Sequence, residues 1–265
     1  MYYGCKKEIE DKRDYKSYIS DTKQSLLPTE YTISMPDIKD QGIVNSCVAH
    51  SLATFLEECH KEENLKFSTG FIYGYRPIGY DQSEGMYPRE ALKTITKIGD
   101  VPKDLFDHNK EMPEIKQLVD NDIKTLKEQA IKYKVNSYAR IYTTYEIKNC
   151  IFNDTPVPIS IPVYNDLMYD KDTFIIQGPS GSIEGYHMII IYGYNENGWL
   201  IQNSWGKDWA NSGTAILPYG YPIDSAWAID TNYNNVITYQ TIWQKLYSLY
   251  IKIINKLKGV WSWHF

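Results

Sequence analysis

The chain has 265 residues, 43% of them hydrophobic, which is enough for one large domain or for two lobes around a shared cleft. Its formal charge of −5 is the wrong sign for gripping a phosphate backbone, so nucleic acid is excluded as the expected partner. Four cysteines at irregular spacing (Cys5, Cys47, Cys59 and Cys150) make neither a disulfide scaffold nor a zinc template, and they fit a reducing compartment.

Residues 1–26 are polar and crowded with charge, from Lys6, Lys7 and Glu8 to Asp11, Lys12, Arg13 and Asp14. They read as a surface segment with no apolar stretch of the secretory kind. Pro28 and Pro36 punctuate an extended stretch that ends in the turn signal Asp40-Gln41-Gly42. Val48, Leu52, Phe55, Leu56 and Cys59 then recur at helical spacing, which predicts a helix over residues 47–62 with Ser46 as its N-cap. Two further helices are expected over residues 89–98, stopped by Gly99, and over residues 113–133. Beyond residue 135 the composition turns to short β-branched and aromatic runs separated by Gly, Asn, Asp or Pro. Strands are expected over residues 138–142, 157–163, 173–176, 187–194, 199–202 and 215–218. Helices gathered before strands give an α+β class, with no internal repeat.

The chemistry gathers at a few positions. Cys47 falls in the first turn of its predicted helix, where the positive end of the macrodipole favours a thiolate, although a small buried hydrophobe would fit the same position. A nucleophilic cysteine needs a base and a group that orients the base. His187 opens a strand after Gly185-Tyr186, at the lip of a cleft or as a bonded core histidine. Asn203 follows the next strand, where it can accept from an imidazole N–H under the cover of Trp205 or serve as a plain turn residue. Gln41, six residues before Cys47, can bring its side-chain amide and the Cys47 N–H to one developing oxyanion, or merely form a surface turn.

Together these segments resemble the papain-like cysteine peptidases. Gln41-Gly42-Ile43-Val44-Asn45-Ser46-Cys47-Val48-Ala49 is similar to the nucleophile segment of that family. Gly185-Tyr186-His187 with Tyr192-Gly193-Tyr194 is similar to its histidine strand, and Asn203-Ser204-Trp205-Gly206-Lys207-Asp208-Trp209 to its asparagine–tryptophan signature. The likeness spans roughly residues 27–230. Weaker likeness to compact bacterial and viral members extends to Ser68-Thr69-Gly70-Phe71 and to Gly85-Met86-Tyr87-Pro88-Arg89-Glu90-Ala91.

The resemblance implies a two-lobed fold, with a helical lobe over about residues 40–135, a β lobe over about 136–230 and the substrate groove between them. It implies Cys47 as nucleophile, His187 as general base then acid, Asn203 as orienter, Gln41 in the oxyanion hole and Trp205 as shield. The implied substrate is a polypeptide, and no metal or organic cofactor is required. Asn45, Gly85 and Tyr186 are expected beside the groove. Val44 replaces a common disulfide cysteine, and Asn45 a common glycine. Other thiol-dependent amidase or transpeptidase chemistry on the same scaffold stays open, as does a silent peptide-binding module.

Residues 1–26 are too short for a large inhibitory prodomain and are expected to strap across the groove. Residues 231–265 carry +4, leaving −9 on residues 1–230, and three of the seven tryptophans. Their basic amphipathic pattern suits contact with a membrane surface, docking of the apolar face on the chain's own domain, or self-association through residues 240–265. The expected location is cytoplasmic or virion-packaged.

Overall fold

The computed structural model describes residues 3–9, 11, 14, 27–62, 64–76, 85–107, 120–164 and 167–231. The chain divides into two units, Met1–Asp230 and Thr231–Phe265. The expected amphipathic tail lies outside the described residues. Among the described residues, no helix is long and apolar enough to cross a membrane.

In the first unit the order is β1 (Tyr31–Thr32), α1 (Cys47–His60), α2 (Thr69–Gly74), α3 (Pro88–Lys97), α4 (Asp120–Ala130), β2 (Ser137–Ile141), α5 (Thr144–Phe152), β3 (Val157–Val163), β4 (Gly185–Asn195), β5 (Gly198–Gln202), β6 (Thr214–Leu217) and β7 (Ser225–Asp230). The fold is α+β, with one seven-stranded antiparallel sheet in the order β2-β7-β3-β4-β5-β6 and β1 paired to β4.

The first predicted helix ends slightly early, because Lys61 takes a left-handed conformation (φ 53°) and its N–H closes on Glu57 O. Ser46 stands at the N-cap position, but its hydroxyl meets His50 Nδ1 at 3.2 Å instead of capping the helix. Every residue of α1 from Cys47 to Cys59 is buried. The helix is therefore a central strut rather than a surface helix with one apolar stripe. Ser51 Oγ donates to Met188 O at 3.0 Å and ties α1 to β4, which holds the first turn of the helix against the first residues of the strand.

Period-two alternation along β4 divides its side chains between two cores. Met188 and Ile190 join Leu52, Leu56, Leu92 and Trp227 on the helical side. Ile189 and Ile191 join Ile159, Trp199, Ile201 and Trp209 on the other. The expected strand over residues 173–176 is reduced to isolated bridges, Tyr169↔Ile176 and Ile175↔Ile216, with Phe174 at φ 56° breaking the extended run. The third predicted helix is described only as α4 and a 3-10 turn at Ile131–Tyr133.

Candidate active site

The sulfur of Cys47 sits at the first residue of α1, fully buried, and accepts the Met188 N–H at 3.5 Å. His187, the residue before that donor, is therefore brought by β4 to the same place. Its Nε2 is 2.7 Å from Asn203 Oδ1, and its Nδ1 has no hydrogen-bond partner among the described residues. The Ser204 N–H also donates to Asn203 Oδ1, at 2.7 Å, which fixes the amide with its oxygen towards the imidazole. An amide oxygen only accepts, so in the neutral ring Nε2 holds the proton and Nδ1 presents its lone pair.

The His187–Asn203 bond is dry, with the two residues 0% and 3% exposed. Trp205 stacks on the imidazole at 4.4 Å between centroids and meets Trp209 edge-on at 5.6 Å. Asn203 is anchored through its N–H to Gly213 O at 3.0 Å. Gly213 has φ +88°, and a Cβ there would lie 2.5 Å from Ile38 Cγ2, so the turn that carries Asn203 requires glycine.

Gln41 comes from the turn ahead of α1. Its N–H donates to Ser204 O at 2.9 Å, its Oε1 accepts from Ser204 Oγ at 2.7 Å, and its Nε2 donates to Val44 O at 2.9 Å. Ser204 thus joins the group that orients the histidine to the expected oxyanion donor. The sequence placed Ser204 inside the asparagine signature without giving it a role, and its position between Asn203 and Trp205 was the available signal.

Burial pushes the Cys47 thiol up to about 12 and the His187 imidazole down to about 4. The Asn203 bond favours the charged ring, but less than burial opposes it. Burial thus opposes the thiolate that the helix terminus favours. A helix terminus contributes at most about 2 kcal/mol, or roughly 1.5 pKa units, against up to about 3–5 units for full burial. Burial favours the neutral form of each.

The cover over the sulfur comes from the N-terminal segment. Gly4 O accepts from Met86 N at 2.9 Å, Cys5 N donates to Tyr186 O at 3.2 Å, and Lys6 N donates to Met86 O at 3.1 Å. The Gly4 main chain also acts on the Cys47 sulfur. A Cβ on Gly4 would fall 2.1 Å from the Asn45 carbonyl, and one on Gly85 would fall 2.0 Å from Gly4 O. Asn45, Gly85 and Tyr186, expected beside the groove, are thus among the residues that the segment touches. Cys5 Sγ reaches Ser160 Oγ at 3.2 Å, and Tyr3 lies beside Trp205 at 6.2 Å between ring centroids.

Residues 24–226 match the family profile described as papain family cysteine protease. The chain belongs to the papain family of cysteine proteases. A peptidase C1-like protein of Acanthamoeba polyphaga mimivirus is 28% identical over 213 residues, covering 72% of this chain and 67% of that protein. A cathepsin B-like cysteine proteinase of Haemonchus contortus is 26% identical, covering 66% of this chain and 62% of its own length. Among solved structures, xylellain, a cysteine protease from Xylella fastidiosa, superposes with a TM-score of 0.74 at 24% identity, covering 86% of this chain and 96% of that one. A procathepsin B from Trypanosoma congolense superposes with a TM-score of 0.67 at 16% identity, covering 86% and 85%. These likenesses give the papain-like fold.

Proposed function

We propose that this chain is a cysteine endopeptidase acting on polypeptides, with Cys47 as nucleophile, and that its N-terminal segment keeps it latent at rest. The observation that carries this reading is the 2.7 Å bond from His187 Nε2 to Asn203 Oδ1, which leaves Nδ1 as an unpartnered base on the strand that holds the Cys47 sulfur.

When substrate replaces the segment, Nδ1 takes the thiol proton and the sulfur adds to a peptide carbonyl carbon. The oxygen becomes an oxyanion, which the Cys47 N–H and the Gln41 amide stabilise. Collapse breaks the C–N bond as the imidazolium returns its proton to the leaving amine. Water, deprotonated by the same nitrogen, then hydrolyses the thioester and regenerates the thiol.

The groove segment supports latency. Tyr3 lies beside Trp205, Cys5 reaches Ser160, and between them the Gly4 main chain acts on the Cys47 sulfur, where a substrate carbonyl would have to come. The test is cleavage of a peptide library by wild type, Cys47→Ala and His187→Ala. Slow cleavage by wild type that rises when residues 1–26 are deleted, and that both substitutions abolish in either chain, supports the reading. Cleavage that survives Cys47→Ala refutes it.

A further inference from the structure

The main-chain pairing of residues 4–6 with Met86 and Tyr186 is available to any peptide, and neither Gly4 nor Cys5 offers a large side chain. What distinguishes this segment lies further on, at Arg89. Arg89 N donates to Glu8 Oε1 at 2.7 Å, and its Nη1 lies 2.9 Å from Glu8 Oε2. Its Nε and Nη2 reach the two Asp14 oxygens at 3.0 and 2.6 Å, and Nη1 also donates to Ile9 O at 3.0 Å. The Glu8, Asp14 and Arg89 side chains are 1%, 6% and 13% exposed. Glu8 is joined to the sheet as well, since its N–H donates to Asp224 Oδ2 at 3.1 Å. Arg140, which donates to Asp224 O at 2.7 Å, adds a second positive charge that acts on Glu8.

We infer that Arg89, with its own main-chain N–H, forms a carboxylate-binding subsite of the groove, and that acidic peptide segments are its ligands, Glu8 and Asp14 being the resident ones. Among the described residues, both ion pairs of Arg89 run to carboxylates of the N-terminal segment. A guanidinium bound this way by two carboxylates makes charge-assisted contacts roughly twice as strong as neutral ones. Removing it leaves two buried carboxylates facing each other, which is the costly way to break such a pair. The substrate side of this inference rests on the peptidase reading, in which a peptide displaces the segment.

The test uses the full-length chain. Two variants, Arg89→Gln and Glu8→Lys, are compared with wild type for the rate at which iodoacetamide alkylates Cys47, located by peptide mass spectrometry. Each is expected to raise that rate at least tenfold. If Arg89→Gln does not fold, Glu8→Lys carries this arm. In a second arm, peptides carrying a single scanned Glu, and the same peptides with Gln, are titrated onto full-length Cys47→Ala, Glu8→Lys. At least one Glu position should bind fivefold or more tightly than its Gln partner, with the difference lost on adding Arg89→Gln. Unchanged alkylation in both folded single variants, or no preference for Glu at any position, overturns the inference. Because this arm reads binding, it stands apart from whether the chain hydrolyses peptides.

Discussion

Gln41 is held at its main-chain N–H, at Oε1 and at Nε2, and two of those three bonds run to Ser204. A donor fixed in this way stabilises developing charge without reorganising, which is where an oxyanion hole gains its effect. Gln41→Ala is therefore expected to lower kcat by about 10²–10³ with little change in KM, measured by steady-state hydrolysis of one peptide. Equal loss in KM and kcat would place Gln41 in substrate binding instead. At this scale the sequence was legible where a residue type and its place in an element together demand a role. Cys47 opens α1, His187 lies near the start of β4, and Asn203 follows β5. The direction of the Cys47 shift was not legible, because the burial of the sulfur in the assembled fold opposes the local helix terminus.

Elements with a strong period were read from sequence almost to the residue. Val157–Val163 is buried along its whole length, and Val157, Ile159, Ile161 and Val163 all join the core that holds Trp199. The missed elements carry weak signals. Helix α2 is six residues with two glycines, and β7 is diluted by two alanines. Helix α5 was lost within a β-like stretch although it opens with a capping box, in which Thr143 Oγ1 accepts from Glu146 N at 3.2 Å and Glu146 Oε2 accepts from Thr143 N at 2.9 Å. Thr143→Ala should cost about 1 kcal/mol, seen as a lower urea midpoint at unchanged slope, while Thr143→Ser should cost much less. Equal losses in the two variants would contradict the capping account.

Across the described part of the first unit, two histidines are buried, His187 on β4 and His50 on α1. His50 Nδ1 lies 3.0 Å from Ser46 O, and burial lowers the ring to about 4, with Lys39 lowering it further and Asp40 opposing. A base whose folded value is depressed gives stability that is complete above its ordinary value near 6.5 and is lost as pH falls towards about 4. Glu8, Glu58, Glu90 and Asp100 are shifted upward by burial and act in the opposite direction, so the histidine is best read by difference. The Tm of wild type should fall more steeply than that of His50→Phe between pH 6.5 and 4, by the equivalent of roughly 3 kcal/mol at most. Parallel curves would show that His50 does not titrate in this range.

The central claim is that one cysteine of four meets one base in a groove that opens when the N-terminal segment leaves. An electrophilic epoxide directed at thiol peptidases, followed by peptide mass spectrometry, tests it most directly. In the Glu8→Lys chain the account predicts modification of Cys47 and of none of Cys5, Cys59 or Cys150, and its loss on adding His187→Ala. Modification spread over several cysteines, or modification of Cys47 that is indifferent to His187, would contradict it.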